Sequence, residues 1–447
     1  MNKPNTTAWL FAGVLLAALR GPTAAADTYT VNNTSGSGLG SLSAAVAQAN
    51  GNPGNDTINF SVADTTIIPD ATLEIKDTAG VLTIDGTGQN ITISGGGTQR
   101  VFYVDSGAEL QLEGLTVANG LADGDGGGLY NQGTVIINNS TFSGNSAESL
   151  GGGLYNNSTV TVTNSTFSGN ISIYGGGLLA DGGTVTVTNS TFSGNRASDG
   201  GGLANLTSIV TVTNSTFSGN IPSDGVGFYN LYGTSTIANS ILANNGEDCH
   251  NEYGTINQSG VNLIETQYNC GTAAITDDPM LDALADNGGP TQTMALQAGS
   301  PAIDSADDTI CADPDTVNSR DQRGITRPQG DHCDIGAYEF VPEVEMISIA
   351  TIIDFYNSSI DDGSISGAGP GNSAPHREKT ILNQLLAAGS FIDSGDIESA
   401  CMQLSDTLKR IDTDGVLGAD EFVTGDSAGE LATQIGQLQE QLSCSVD

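Results

Sequence analysis

Two aspartates are the best-placed candidates for chemistry in the sequence. Asp199 and Asp224 lie 25 residues apart, and each directly precedes a glycine. If 25 residues form one turn of a stacked structure, their carboxylates lie about 5 Å apart, near the spacing of the two acids in a retaining glycosidase. Arg196 is close in sequence and could bind a uronic acid. A polysaccharide lyase or hydrolase is therefore one hypothesis.

Other features favour a protein without catalytic activity. A lyase cleft needs a basic group among several acids, and the repeated region holds few basic residues: Lys76, Arg100 and Arg196. A carboxylate at a glycine bend is usually only solvated. The three histidines lie far apart in the sequence, without the partners of a nucleophilic triad or an HExxH zinc site. We favour a non-enzymatic protein without a cofactor and keep the enzyme as the alternative.

One segment has a partial calcium-loop pattern. Asp412, Asp414, Gly415 and Glu421 match EF-hand positions, but Arg410 stands where the first carboxylate ligand belongs. A turn between two helices explains the Asp-Gly pair equally well. Calcium binding therefore stays a weak alternative.

An internal repeat dominates the middle of the chain. The string STFSGN begins at Ser140, Ser165, Ser190 and Ser215, and GGGL begins at Gly126, Gly151, Gly175 and Gly200. Within one unit, TVTVT at residues 159–163 alternates as a strand with one buried face does. Repeats of this length are typical of solenoids. The pattern predicts an all-β solenoid, a right-handed parallel β-helix of 25-residue coils with three short strands per coil.

Stacking of the coils explains which residues recur. We expect a buried aromatic column formed by Phe142, Phe167, Phe192 and Phe217. We expect one asparagine ladder formed by Asn139, Asn164, Asn189, Asn214 and Asn239, and a second formed by Asn145, Asn170, Asn195, Asn220 and Asn245. Stacked amides can hydrogen-bond between turns, and Asn tolerates a left-handed backbone. The TxTxT strands also leave ice binding through a threonine array as a minor alternative.

Composition and the first 26 residues predict export. Lys3, the apolar run 8–19 and Ala24-Ala25-Ala26 resemble a cleavable signal peptide. The chain has 12 Lys and Arg against 51 Asp and Glu, a net charge of −39. Such a charge repels nucleic acid and anionic membranes. We therefore expect an extracellular or cell-surface protein that binds no nucleic acid and does not insert into a membrane.

All six cysteines lie in the second half of the chain. An even count in an exported protein suggests disulfides, and pairing of sequence neighbours is the simplest of many connectivities: Cys249–Cys270, Cys311–Cys333 and Cys401–Cys444. Metal binding is the competing interpretation, although no CxxC or Cys/His spacing supports it.

Three segments resemble known bacterial families. The GGGL and FSGN strings look like the GGA-[ILV] and FxxN repeats of the chlamydial polymorphic outer-membrane proteins, with Gly in place of Ala. Residues 29–60 resemble the segment named after its CSLREA motif, with Ser43 where Arg is usual. Residues 277–340, including DDPMLDALADNGGPTQT and DQRGITRPQGDHCDIGAYEF, resemble the choice-of-anchor Q segment of surface proteins. These resemblances imply a surface or secreted β-helix protein.

The remaining segments complete the predicted domains. Residues 41–50 are expected to form a helical N-terminal cap of the β-helix, which covers residues 27–270, and residues 271–340 to close its other end. Residues 341–347 are a linker. Apolar residues at helical spacing, such as Ala400, Leu404 and Leu408, predict three helices over 376–443 within a small helical domain, residues 348–447.

The favoured function is that of an adhesin, stalk or recognition scaffold. Its expected partner is a polysaccharide or a ligand on a host or cell surface. The sequence does not identify the ligand.

Overall fold

The chain folds into two compact units, Met1–Pro342 and Glu343–Asp447. The computed structural model describes residues 26–220, 226–342, 347–368, 373–413 and 421–444. The predicted signal peptide lies outside these residues.

The first unit is a β-solenoid whose nine coils each contribute one strand to three parallel sheets, which confirms the predicted fold class. Sheet 1 has ten strands because one precedes the first coil: Thr28–Val31, Asp56–Phe60, Val81–Asp85, Glu109–Glu113, Thr134–Asn138, Thr159–Thr163, Thr184–Thr188, Ile209–Thr213, Thr234–Ala238 and Thr255–Ser259.

The other two sheets have nine shorter strands each. Sheet 2 consists of Thr65–Ile67, Ile91–Ser94, Leu115–Ala118, Thr141–Ser143, Thr166–Ser168, Thr191–Ser193, Thr216–Ser218, Ile241–Ala243 and Leu263–Ile264. Sheet 3 consists of Leu73–Ile75, Phe102–Val104, Leu129–Asn131, Leu154–Asn156, Leu178–Ala180, Leu203–Asn205, Val226–Asn230, Glu247–Asn251 and Gln267–Tyr268. A further short parallel pair, Leu121–Ala122 with Ser146–Ala147, lies in the turns between sheets 2 and 3.

The 25-residue period holds only in the central coils. Val160 pairs with Val185 in sheet 1, whereas Ile58 pairs with Ile84, Leu82 with Leu110, and Thr236 with Asn257. The strands keep their register while the turns between them gain or lose residues.

Alternation of side chains builds the core. The predicted phenylalanines are fully buried and stack face to face, with ring centroids 4.8, 4.7 and 4.5 Å apart along the column. Inward valines of sheet 1, such as Val160 and Val185, pair in register and are at most 1% exposed. Removal of this apolar surface from water stabilises the coils, which have no other common core.

The two asparagine sets have different roles. The set beginning at Asn139 adopts positive φ, 44° to 50°, at the bend between sheets 1 and 2, but its amides do not bond to one another. The set beginning at Asn145 forms a buried ladder: Asn170 Nδ2 donates to Asn195 Oδ1 at 2.8 Å and to the Phe142 carbonyl at 2.9 Å. The expected hydrogen-bonded ladder thus exists for the second set only.

The GGGL string has a steric cause. Gly151 has φ +64°, a conformation that suits glycine. A Cβ on Gly153 would lie 2.5 Å from the carbonyl oxygen of Gly177 in the next coil, so a larger residue would force the coils apart.

Helix α1 (Leu42–Ala49) covers the N-terminal end of the solenoid. The Ser41 hydroxyl accepts a hydrogen bond from the Ala44 N–H at 3.2 Å and caps the helix. Leu42 and Val46 are buried in the same core as Val31. The helix therefore occupies the place expected for a cap.

Most of the segment expected at the other end lies elsewhere. Residues around Ala273 reach the end of the core, but residues 277–340, which we call the covering segment, pack along the outer side of sheet 2. They include the short helix α2 (Asp308–Cys311). Only residues next to Cys270 cover the end of the coils.

The described residues of the second unit form four helices, of which three lie in the region predicted to hold three, 376–443, and one precedes it. They are α3 (Ile349–Asp361), α4 (Ser373–Ser394), α5 (Ile397–Leu408) and α6 (Ala428–Gln441). A short antiparallel pair joins Ser366–Gly367 to Val423–Thr424. The helices share an apolar core that includes Leu404 and Ile435.

Candidate functional site: the outer face of sheet 3

The outer faces of the three sheets differ in chemistry. Sheet 1 presents threonines, including Thr159 and Thr184, which are exposed. Thr188 and Thr213, in the same array, are only 4% and 6% exposed, because they lie beside the bend that the covering segment contacts. No hydrogen bond is recorded between these threonine side chains in the described part of the chain, so sheet 1 offers a plain polar surface.

The covering segment binds the outer face of sheet 2. Gln322 is its central contact: it accepts from the Thr191 hydroxyl at 2.6 Å and donates to the hydroxyls of Thr166 at 2.9 Å and Thr291 at 2.8 Å. The Ala337 N–H donates to the Thr216 hydroxyl at 3.0 Å. The small Thr and Ser side chains of this sheet allow the segment to approach closely, so this face has an intramolecular partner.

A buried ionic network holds the covering segment together. Arg327 is 2% exposed and donates to Glu339 at 3.2 Å and to the carbonyls of Asp334 and Gly336, both at 2.7 Å. Arg323 pairs with Asp321 at 2.7 Å. Burial raises the pKa of Asp334 to about 6 and also raises that of Glu339. These charges are enclosed by protein and are not available to a ligand.

Sheet 3 presents aromatic side chains outward. Tyr103, Tyr130 and Tyr155 stack on successive coils, with ring centroids 5.1 and 4.7 Å apart. Three coils later the series resumes with Tyr229 and His250, whose centroids are 5.6 Å apart. Leu179 and Ala204 occupy the two coils between. Both side chains are fully buried and share an apolar cluster with Tyr155 and Tyr229.

Three tyrosine hydroxyls of this face donate to an acceptor just after the next strand, whereas the Tyr130 hydroxyl accepts from Gln132 Nε2 at 3.4 Å. Tyr103 donates to Gln132 at 3.0 Å, and Tyr155 donates to Asp181 at 3.2 Å. Tyr229 donates to Glu252 at 2.6 Å. The result is a row of phenol and carboxylate groups along the edge of the sheet.

Turns on both sides of sheet 3 contribute further apolar, aromatic and acidic side chains. Leu150 and Tyr174 come from the turns before the strands of this sheet. The residues on the opposite side follow the strands: Leu206, Leu231, Tyr232, Glu252 and Tyr253. With Tyr229 they enclose a groove of about 470 Å³. Tyr232 and Tyr253 stack 5.3 Å apart and are 62% and 66% exposed. The groove therefore combines leucine side chains with exposed aromatic and acidic groups.

The charges at the groove are negative. Hydrogen bonds from Tyr229 and Tyr253 lower the pKa of Glu252, so this carboxylate stays ionised. Burial raises the pKa of Asp199, while His250 lowers it and Glu252 raises it. Asp199 thus lies within electrostatic range of both side chains. Arg100 is held further along the face, where it donates to the Gly126 carbonyl at 2.9 Å.

The candidate acid pair of the enzyme alternative is described only in part, because Asp224 lies outside the described residues. Arg196 is exposed and forms no ion pair among the described residues, and the charges that act on Asp199 are those of His250 and Glu252. Asp199 pairs with Tyr174 in an isolated β-bridge and so lies beside the groove without lining it.

The six cysteines form three disulfides between sequence neighbours, Cys249–Cys270, Cys311–Cys333 and Cys401–Cys444. The first ties the last two strands of sheet 3, and the second lies inside the covering segment.

The calcium-loop pattern falls partly outside the described residues, which exclude Asp414 and Gly415. Asp412 is buried and accepts from the Thr424 hydroxyl at 2.8 Å. The Arg410 guanidinium lies over the Phe422 ring, 4.6 Å from its centroid. In the described ranges there is no group of three or more His, Cys, Asp or Glu side chains that could hold a metal ion.

A larger hollow of about 660 Å³ lies in the helical unit beside Cys401 and Met402. It has no aromatic lining, so we regard the groove on sheet 3 as the better candidate. None of the helices described is both long enough and apolar enough to cross a membrane.

The coils and their groove define a right-handed parallel β-helix protein. Residues 75–271 match the family model of the right-handed beta helix region. No curated protein and no solved structure matches the chain.

Proposed function

We propose that this protein is an exported, non-enzymatic recognition scaffold that binds a polysaccharide or cell-surface glycan in the groove on sheet 3. The observation behind the proposal is the groove itself, where tyrosine rings, phenol hydroxyls and the Glu252 carboxylate lie beside leucine side chains. Sugars present apolar C–H faces and polar edges, and a site that combines apolar walls with a few fixed polar groups suits them.

Two features support export and binding over cleavage. The three disulfides are typical of an oxidising compartment. Asp199 lies close enough to Glu252 for their charges to interact, but Arg196 does not pair with either of them. A parallel β-helix is compatible with both functions, so the fold itself does not decide between glycan binding and glycan cleavage.

A binding test can use two tyrosines on the same side of the molecule. Tyr253 lines the groove, whereas Tyr268 is 52% exposed on the same sheet but outside it. On a glycan array followed by calorimetry, Tyr253→Ala should weaken binding about tenfold, the effect of losing about 1.4 kcal/mol. Tyr268→Ala should keep the wild-type affinity.

The same preparation should be tested for cleavage of pectate, alginate and related polymers. We expect no product from the wild type. Turnover that Asp199→Asn abolishes would support the lyase or hydrolase alternative. Glycan binding that is unaffected by Tyr253→Ala would move the site away from the groove.

A further inference from the structure

The groove on sheet 3 has a charge pattern that restricts its ligand. The described acidic side chains on and beside it are Asp181, Asp199, Glu247 and Glu252, and His250 lies among them. No lysine or arginine is among the described side chains that line the groove. A uronic acid polymer would therefore meet like charge, while a cationic sugar would meet opposite charge.

Glu252 is the best-placed of these carboxylates. It lines the groove and is fixed by the Tyr229 hydroxyl, which donates to its Oε2 at 2.6 Å. A fixed carboxylate loses less conformational freedom when it binds a ligand. Charge-assisted hydrogen bonds between an ammonium and a carboxylate are roughly twice as strong as neutral ones.

The surrounding rings favour a sugar over a simple cation. Tyr232 and Tyr253 extend the wall next to Glu252, and Leu206 and Leu231 supply apolar contact. The groove runs along stacked coils, so a linear oligomer lies along several turns at once. An isolated ammonium ion would use none of these contacts.

We infer that the groove on sheet 3 binds amine-bearing glycans, with Glu252 as the residue that selects the free amine over its acetylated form. This inference rests on the proposed function and narrows its ligand class. Glu252 receives the ammonium, Asp199 adds negative charge from beside the groove, and the tyrosines contact the sugar rings.

The test compares two tetramers with the same backbone, one of glucosamine and one of N-acetylglucosamine. Calorimetry is carried out at mildly acidic pH, where the free amine is protonated and Glu252 is ionised. The wild type should bind the glucosamine tetramer about tenfold more tightly, as expected for one charge-assisted contact. Glu252→Gln, which keeps an oxygen acceptor for Tyr229, should bring the ratio of the two dissociation constants close to one.

The matched control is Glu109→Gln, on the outer face of sheet 1. It removes the same charge from a protein of net charge −39 and should leave the ratio unchanged. An equal loss in both variants would show general attraction to an acidic surface and would overturn the inference.

Three further outcomes separate the claims. If the wild type binds both tetramers equally, the amine selection is wrong while glycan binding stands. If it binds no sugar tetramer, including a neutral glucan, both the inference and the proposed function fail. A lysine tetramer that binds as tightly as the glucosamine tetramer, with the same dependence on Glu252, would assign the groove to a basic peptide and overturn the inference.

Discussion

Sheets 2 and 3 come from the same coils, but their outer faces have different partners. Sheet 2 repeats small Thr-x-Ser pairs, and the covering segment packs on them through Gln322 and Ala337. Sheet 3 carries tyrosines whose hydroxyls bind Asp181 and Glu252 and whose groove holds no covering segment. One repeated interior thus carries a face that an intramolecular segment covers and a face that keeps an exposed aromatic groove.

The largest expected effect concerns the core that both faces share. Phe167→Ala removes a ring stacked between Phe142 and Phe192 and leaves a cavity between coils. We expect a loss of about 3–5 kcal/mol in the free energy of unfolding. Thr161→Ala, on the outer face of sheet 1, should stay within about 0.5 kcal/mol. Equal losses in urea denaturation would contradict the facing of the strands.

Arg327→Met tests whether the covering segment is stably packed on the outer face of sheet 2. The change leaves Glu339 buried without its ion-pair partner, which should cost about 3 kcal/mol. Hydrogen exchange should then increase in residues 291–340 and on sheet 2, and stay the same on sheet 3. Arg196→Met, at an exposed arginine, is the control. Uniform exchange across all three sheets would remove the distinction between the faces.

The pH dependence of stability should also come from the covering segment. Burial raises the folded pKa of Asp334 to about 6, against the opposing charge of Arg327 and with Asp304 nearby, whereas an unfolded aspartate titrates near pH 3.9. The protonated form is therefore favoured on folding, and its contribution is full below about pH 4 and lost as pH rises through about 6. Between about pH 5 and pH 8 stability should fall by about 1–2 kcal/mol from this group.

Asp334→Asn distinguishes the contribution of Asp334 to the pH dependence of stability from that of repulsion among the other acidic side chains. The variant should show a smaller fall in stability over the same pH range. An unchanged slope would mean that Asp334 is ionised in the folded protein at acidic pH.

Much of the interior was predictable because it repeats. Phe142 to Phe217 and the valines of sheet 1 face inward as the alternation and period require. The role of the positive-φ asparagines was only half predicted, because a repeated Asn indicates either a bend or a ladder. The covering segment contains no repeat that would place it against sheet 2, and its contacts with Thr166 and Thr191 join residues more than 120 positions apart.

The groove was not predicted, for a related reason. Tyr174 and Tyr253 lie in turns whose lengths vary, whereas Tyr229 lies in a strand of sheet 3. Their proximity depends on coils of unequal length, such as the short one that pairs Thr236 with Asn257. The recurrence of Tyr103, Tyr130 and Tyr155 was visible in the sequence and was the one available signal for an aromatic face.

Hydroxyl-radical footprinting with a saturating glycan identified on the array tests the central claim most directly. Tyr232 and Tyr253, both largely exposed in the groove, should become protected from oxidation, while Tyr268 on the same sheet stays as reactive as in the free protein. Bound glycan that leaves Tyr232 and Tyr253 fully reactive would contradict the account.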